Sequence, residues 1–145
     1  MTSAELEAQI PALVAAATQV RERAWAPYSQ FHVGAALLCE DGTVFTGCNV
    51  ENASYGLTIC AERTAVAKAV SEGQRRFAAI VIVTDMDEPA SPCGMCRQTL
   101  AEFAPGLPVV LAGLTGVRRD TNLATLLPGA FTPEALQRYQ AGHTP

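Results

Sequence analysis

The chain has 145 residues, 49% of them apolar and 17% charged, with a formal net charge of −4. That balance suits one globular domain spanning 1–145 with a sizeable core, and it excludes a disordered chain. It also disfavours a nucleic-acid partner, which needs a basic stripe, because the tight basic pairs Arg75-Arg76 and Arg118-Arg119 read as solvated surface.

Ser3 to Ala24 reads as a helix. Leu6, Ile10, Leu13, Ala17, Val20 and Ala24 recur at steps of three and four and mark one buried face. Pro11 is tolerated in a first turn, which places the start of the firm helix near Ile10 with the preceding residues loosely attached. Ala26-Pro27-Tyr28-Ser29 turns the chain. Phe31 to Cys39 and Thr43 to Val50 read as antiparallel strands joined at Glu40-Asp41-Gly42, since Asp-Gly between such runs is a hairpin signal. Glu51 to Ile59 holds turn residues and no period, and reads as a loop.

Cys60 to Glu72 is an alanine-rich helix with Gly73 placed to cap it. Ala78 to Thr84 is a strand buried on both faces. Ser91 is a candidate cap for the next helix, with Pro92 in its first turn and an end near Ala104-Pro105-Gly106. Leu107 to Ala112 is a second buried strand. Only Gly113 to Gly116 link it to a last strand near Val117 to Thr121, too short for a parallel crossover, so that pair is expected to be antiparallel. A short helix around Leu123 to Leu127 follows, and Thr132 and Pro133 begin a final amphipathic helix. The elements add up to an α/β class protein, a three-layer α/β/α sandwich with a five-stranded mixed sheet.

No apolar run reaches the roughly 20 residues that a membrane span needs. Met1 to Ile10 carries Glu5 and Glu7 and does not read as a secretory signal. Five cysteines, an odd number, do not suggest a disulfide framework. The expected compartment is a reducing cytoplasm.

The chemistry concentrates in two stretches, Thr58-Ile59-Cys60-Ala61-Glu62-Arg63-Thr64-Ala65 and Ser91-Pro92-Cys93-Gly94-Met95-Cys96. Cys93 and Cys96 lie three positions apart on one side of a helix start. With Cys60 they offer three thiolates to a tetrahedral zinc and leave one corner for water, the arrangement of a catalytic site. Glu62 is the natural proton carrier for that water. Helix N-termini favour thiolate over thiol at both cysteine groups. Three thiolates around one zinc leave a net charge of −1, and Arg63 is the candidate to offset it by hydrogen bonds to sulfur.

Cys-Ala-Glu followed by Pro-Cys-Gly-Met-Cys resembles the zinc-dependent nucleoside and nucleobase deaminase superfamily, in which a non-ligating Glu serves a zinc-activated water. Cys60, where many members carry His, resembles the small homotetrameric cytidine deaminases. The likeness extends through Pro27-Tyr28-Ser29-Gln30-Phe31-His32-Val33-Gly34-Ala35-Ala36, Asn49-Val50-Glu51-Asn52-Ala53-Ser54-Tyr55-Gly56 and Leu126-Leu127-Pro128-Gly129-Ala130-Phe131. The resemblance implies one Zn2+ per subunit and hydrolytic deamination of cytidine and 2′-deoxycytidine in pyrimidine salvage. It implies that Asn49 and Glu51 bind the ribose 3′-hydroxyl, that Phe31 stacks on the pyrimidine, and that Glu62 and the Ala61 N–H meet the base edge. It further implies that Tyr55 and Phe131 complete the pocket of a neighbouring subunit in a homotetramer. A deaminase of a modified cytosine nucleoside and a zinc-stabilised binding module are the rival readings, and Glu62 argues against the second.

Plainer readings stand beside these. Cys-x-x-Cys also occurs in redox and structural zinc motifs, but a redox pair leaves Cys60, Glu62 and Arg63 unexplained. Cys39 and Cys48 fall in strands and read as small buried hydrophobes. His32 reads as a sheet-face histidine and His143 as a solvated tail residue. Without the resemblance, Phe31 and Phe131 would be core aromatics, and Asn49 and Glu51 an ordinary strand end.

Overall fold

A computed structural model describes residues 1–143. Its centre is a five-stranded sheet in the order β2-β1-β3-β4-β5. The strands are β1 Gly34–Cys39, β2 Val44–Cys48, β3 Phe77–Thr84, β4 Pro108–Gly113 and β5 Arg118–Asn122. Only β3 and β4 run parallel; the other three pairings are antiparallel, as the short links require for β1–β2 and β4–β5. The helices are α1 Ser3–Arg21, α2 Ala61–Ser71, α3 Gly94–Phe103, α4 Leu123–Leu126 and α5 Pro133–Gly142, with a 3₁₀ turn at Tyr55–Leu57.

Alternation along the central strands builds two cores. Ala35, Leu37, Ile80, Ile82, Val109 and Leu111 face α2 and α3, where Ala61, Ala65, Ala69, Leu100 and Ala101 are buried with them. Ala36, Leu38, Val81, Val83, Val110 and Ala112 face α1 through Ile10, Leu13 and Ala17. Helices therefore cover both faces, and the expected sandwich is present.

The first helix corrects two expectations. It begins at Ser3, not near Ile10: Thr2 and Glu5 form a reciprocal capping box, and Glu7 is held by Arg118 at 2.7 Å. Pro11 lies inside the helix at an exposed position, where the carbonyl that loses its partner can turn to solvent. The buried stripe also leaves the apolar pattern after Ala17 and passes to Arg21 in place of Val20.

Two glycines set the spacing between layers. A Cβ at Gly34 would lie 1.9 Å from the Ala17 carbonyl oxygen, and one at Gly47 would lie 2.4 Å from that of Ala61. These positions let α1 and α2 close directly onto β1 and β2. The hairpin turns at Gly42 with φ 90°, and α2 ends in a Schellman motif in which Gly73 N–H bonds Val70 O and Gln74 N–H bonds Ala69 O.

The strand expected from Phe31 begins only at Gly34. Gln30 is left-handed, with φ 58°, and the backbone of Phe31 to Val33 bonds to side chains in place of a ladder. In register, Gly34 sits opposite both Cys48 and Val83. The chain therefore leaves β2 and β3 at the same end of the sheet, which brings the starts of α2 and α3 together.

Candidate active site

Cys60 and Cys93 occupy the N-cap positions of α2 and α3, both with extended backbone and neither making a side-chain capping bond. Cys96 is the third residue of α3 and is fully buried. Ser91 is therefore not the cap expected of it. It lies two residues before Cys93, and its hydroxyl accepts a bond from Arg97 Nη2 at 3.0 Å.

The sulfurs of Cys60 and Cys93 are 3.8 Å apart and those of Cys93 and Cys96 3.4 Å, and all three lie within 4.8 Å of one another. A disulfide would need about 2.05 Å. Three sulfurs at about 2.3 Å from one tetrahedral zinc are separated by about 3.8 Å. The trio therefore has the spacing of a zinc face. Among the described residues it is the one such group of possible ligands. Cys39 is buried and Cys48 half-buried in the strands, so neither supplies a fourth sulfur. The donor set fits zinc.

Protons are shared unequally within the trio. A hydrogen bond from Cys96, assisted by Arg63, brings the Cys60 thiol down to about 5 against the effect of burial. Cys96 moves the other way, held above its ordinary value by its bond to Cys60 and by burial. Arg63 Nη2 donates to Thr58 O at 3.1 Å and approaches the Cys60 sulfur at 3.8 Å, while its buried Nε has no partner among the described residues. A cation thus lies beside the Cys60 sulfur.

Glu62, in the first turn of α2, is 4% exposed. Burial holds its carboxyl above the usual carboxylate range; a hydrogen bond with Cys96 opposes this and the Cys60 charge adds to it. A carboxyl whose charged form is disfavoured in this way is suited to taking and returning a proton.

Above Cys60, Ala61, Glu62 and Cys93 opens a cavity of about 330 Å3, walled by Phe31, Asn49, Glu51, Thr84 and Pro92 among others. That volume is within the range of small-ligand sites. Asn49, 8% exposed, donates through Nδ2 to Phe31 O at 2.7 Å and accepts from Val33 N–H at 2.9 Å. Glu51 accepts from the Tyr28 and Ser29 amides at 3.0 and 3.1 Å and from the Ser29 hydroxyl. These bonds, the Ser29 hydroxyl foremost, keep its carboxyl below the ordinary range. The two residues expected at a sugar thus also hold the loop that presents Phe31.

Tyr55, 74% exposed, lines an adjoining depression with Tyr28, Ser29, Glu51 and Thr58. Phe131, 64% exposed, lies outside the cavity lining, and its carbonyl accepts from Gln98 at 2.9 Å. Within one chain, then, Tyr55 borders the site and Phe131 does not.

Sequence reasoning missed Arg97, which donates to Pro92 O at 2.8 Å and Leu126 O at 2.7 Å and so fixes the approach to Cys93. Its place directly after Cys96 was the available signal. Ser29 was missed as well. It stands between Glu51 and the Phe31 N–H, which bonds its hydroxyl at 3.0 Å.

Residues 8–112 match the family model described as the cytidine and deoxycytidylate deaminase zinc-binding region. The chain belongs to that family. A cytidine deaminase of Sporosarcina psychrophila is 55% identical over 125 residues, covering 86% of this chain and 92% of that one. A cytidine deaminase of Halalkalibacterium halodurans is 54% identical, covering 84% and 93%. The crystal structure of cytidine deaminase from Burkholderia pseudomallei superposes with a TM-score of 0.82 at 51% identity, covering 90% of this chain and all of that one. The family is zinc-binding, as the cysteine trio requires, and the likeness in fold extends from α1 well beyond the two cysteine stretches.

Proposed function

We propose that this protein catalyses the hydrolytic deamination of cytidine and 2′-deoxycytidine to uridine and 2′-deoxyuridine, with release of ammonia, as a step of pyrimidine salvage. The observation that carries the reading is the set of three sulfurs at zinc spacing on the cavity floor beside a buried carboxyl. Cys60, Cys93 and Cys96 would hold one zinc per subunit, which when bound supplies a Lewis acid that makes water nucleophilic at neutral pH.

The side chains do the rest. Glu62 takes one proton of the attacking water and delivers it to N3 of the pyrimidine. It then takes the remaining proton from the hydroxyl added at C4 and gives it to the departing amine, so that C4=O forms as the C4–N bond breaks and ammonia leaves. The Ala61 N–H, at the start of α2, offers a donor to the base edge. Phe31 supplies the stacking face. Asn49 keeps one N–H free of its bonds to the loop, and Glu51 one acceptor position, both suited to the ribose 3′-hydroxyl. The negative charge of Glu51 would repel a 5′-phosphate placed close to it, which favours a nucleoside over a nucleotide or a polynucleotide.

The reading includes a single domain of residues 1–145 in a homotetramer. The exposure of Tyr55 and Phe131 supports their reaching the pocket of a neighbouring subunit. No helix among the described residues is long and apolar enough to cross a membrane, and five unpaired cysteines suit a reducing cytoplasm. Metal analysis combined with an ultraviolet assay on cytidine tests the proposal. One zinc per chain with stoichiometric ammonia is the expected result. Zinc without ammonia would leave only a binding module.

A further inference from the structure

Arg21 ends α1 on the stripe that Ile10, Leu13 and Ala17 bury, and it is only 9% exposed. A charged group at such a position is costly unless it is paired. Here its Nε donates to His32 O at 3.0 Å, its Nη2 faces Asp85 at 3.4 Å, and its Nη1 bonds Glu22 at 3.1 Å.

Two of these partners adjoin residues that line the cavity. His32 stands between Phe31 and Val33, and Asp85 follows Thr84, all three of which line it; the pairing of Gly34 with Val83 brings the two segments side by side. The close approach at Gly34, where a Cβ would come within 2.9 Å of Arg21 Cβ, seats the guanidinium against this loop. The stretch 31–33 forms no strand. Its backbone is held by Ser29 at the Phe31 amide, Asn49 at the Phe31 carbonyl and the Val33 amide, and Arg21 at the His32 carbonyl.

We propose that Arg21 is a positioning residue for substrate binding: it ties the Phe31-bearing loop to the end of β3 and so fixes the ring on which the base stacks. This rests on the nucleoside reading above. Arg21 touches neither the cysteines nor Glu62, so its loss acts on binding and leaves the metal in place.

The test uses zinc-loaded Arg21→Met, Arg21→Lys and Asp85→Asn, with each also placed in a Phe31→Ala background. Arg21→Met is expected to raise KM for cytidine, and Kd for uridine, by roughly tenfold or more, the scale of one lost charged hydrogen bond. kcat should change by less than about threefold, with zinc content unchanged. Arg21→Lys, which retains one donor, should recover part of the loss. The effect should vanish once Phe31 is alanine, because the two act as one unit. Amide exchange at Phe31 and Val33 should quicken in Arg21→Met. Unchanged KM, Kd and exchange, or an effect that persists in full without Phe31, would overturn the proposal. If Arg21→Met fails to fold, Arg21→Lys and Asp85→Asn carry the same comparison. A wild-type protein that binds no uridine and deaminates no cytidine would refute the nucleoside reading, and Arg21 as a substrate-positioning residue would fall with it. Exchange in the variants would then show only whether the loop is clamped.

Discussion

Glu62→Gln separates proton transfer from everything else the site does. The amide conserves volume in a position only 4% exposed, so packing changes little, and the three sulfurs lose none of their number. What disappears is a group able to cycle a proton between water and base. Loss of a general acid–base group lowers the rate by about 10²- to 10⁴-fold, equivalent to roughly 3–5 kcal/mol of barrier. The ultraviolet change from cytidine to uridine gives the rate, ammonia release confirms the reaction, and metal analysis with a thermal melt confirms an intact, loaded fold. The expected variant holds a full complement of zinc, melts as the wild type does, and is slower by the stated factor. A zinc-loaded variant within about tenfold of wild-type kcat would remove Glu62 from the mechanism; among the described residues no other buried carboxyl lines this cavity.

Gly47→Ala drives a methyl to 2.4 Å from Ala61 O and 2.5 Å from Ala65 N, which should cost about 1–3 kcal/mol and displace the first turn of α2. The melting temperature and zinc retention should fall together, while Gly106→Ala, with open space around it, serves as the control. The carboxyl of Glu51 is depressed below its reference value of 4.5; its stabilisation is therefore present above that pH and lost as pH falls through the folded value. The melting gap between wild type and Glu51→Gln should accordingly narrow on acidification below pH 4.5, and a gap independent of pH would contradict the Ser29 and Tyr28 contacts. Arg63→Gln removes the cation beside Cys60, so zinc should pass more quickly to a chelator; an unaltered transfer rate would end the charge-compensation argument.

The parts of this molecule that were legible in the sequence are those governed by local chemistry. Continuous apolar runs marked Ala78 to Thr84 and Leu107 to Ala112 as buried strands, Asp41-Gly42 marked the hairpin, and cysteines at two helix starts marked the metal face. Most of what stayed hidden depended on partners distant in sequence. Pro11 looked like a helix start although Thr2-x-x-Glu5 is itself a local capping-box signal; the contact of Arg118 with Glu7 is the part that only the fold supplies. The apolar pattern of the first helix runs on through Val20 and Ala24, whereas the fold buries Arg21, beside which Gly34 closes. Phe31 to Val33 looked like strand because an irregular segment held by Asn49, Ser29 and Arg21 has the same apolar spacing as a ladder.

The double use of Asn49 and Glu51 bears on how selectivity arises here. A side-chain amide offers two donors and about two acceptor positions, and Asn49 commits one of each to the loop. Glu51 similarly commits most of its acceptors to Tyr28 and Ser29. The groups left for a sugar are therefore already oriented before ligand arrives, so binding loses little side-chain entropy. A ligand lacking the matching hydroxyl would leave those oriented groups desolvated and unpaired, a larger penalty than the bond itself is worth. If Asn49 and Glu51 meet the sugar as proposed, the loop framework and the sugar site are one construction, and selectivity for the 3′-hydroxyl would follow from the bonds that hold Phe31 in place.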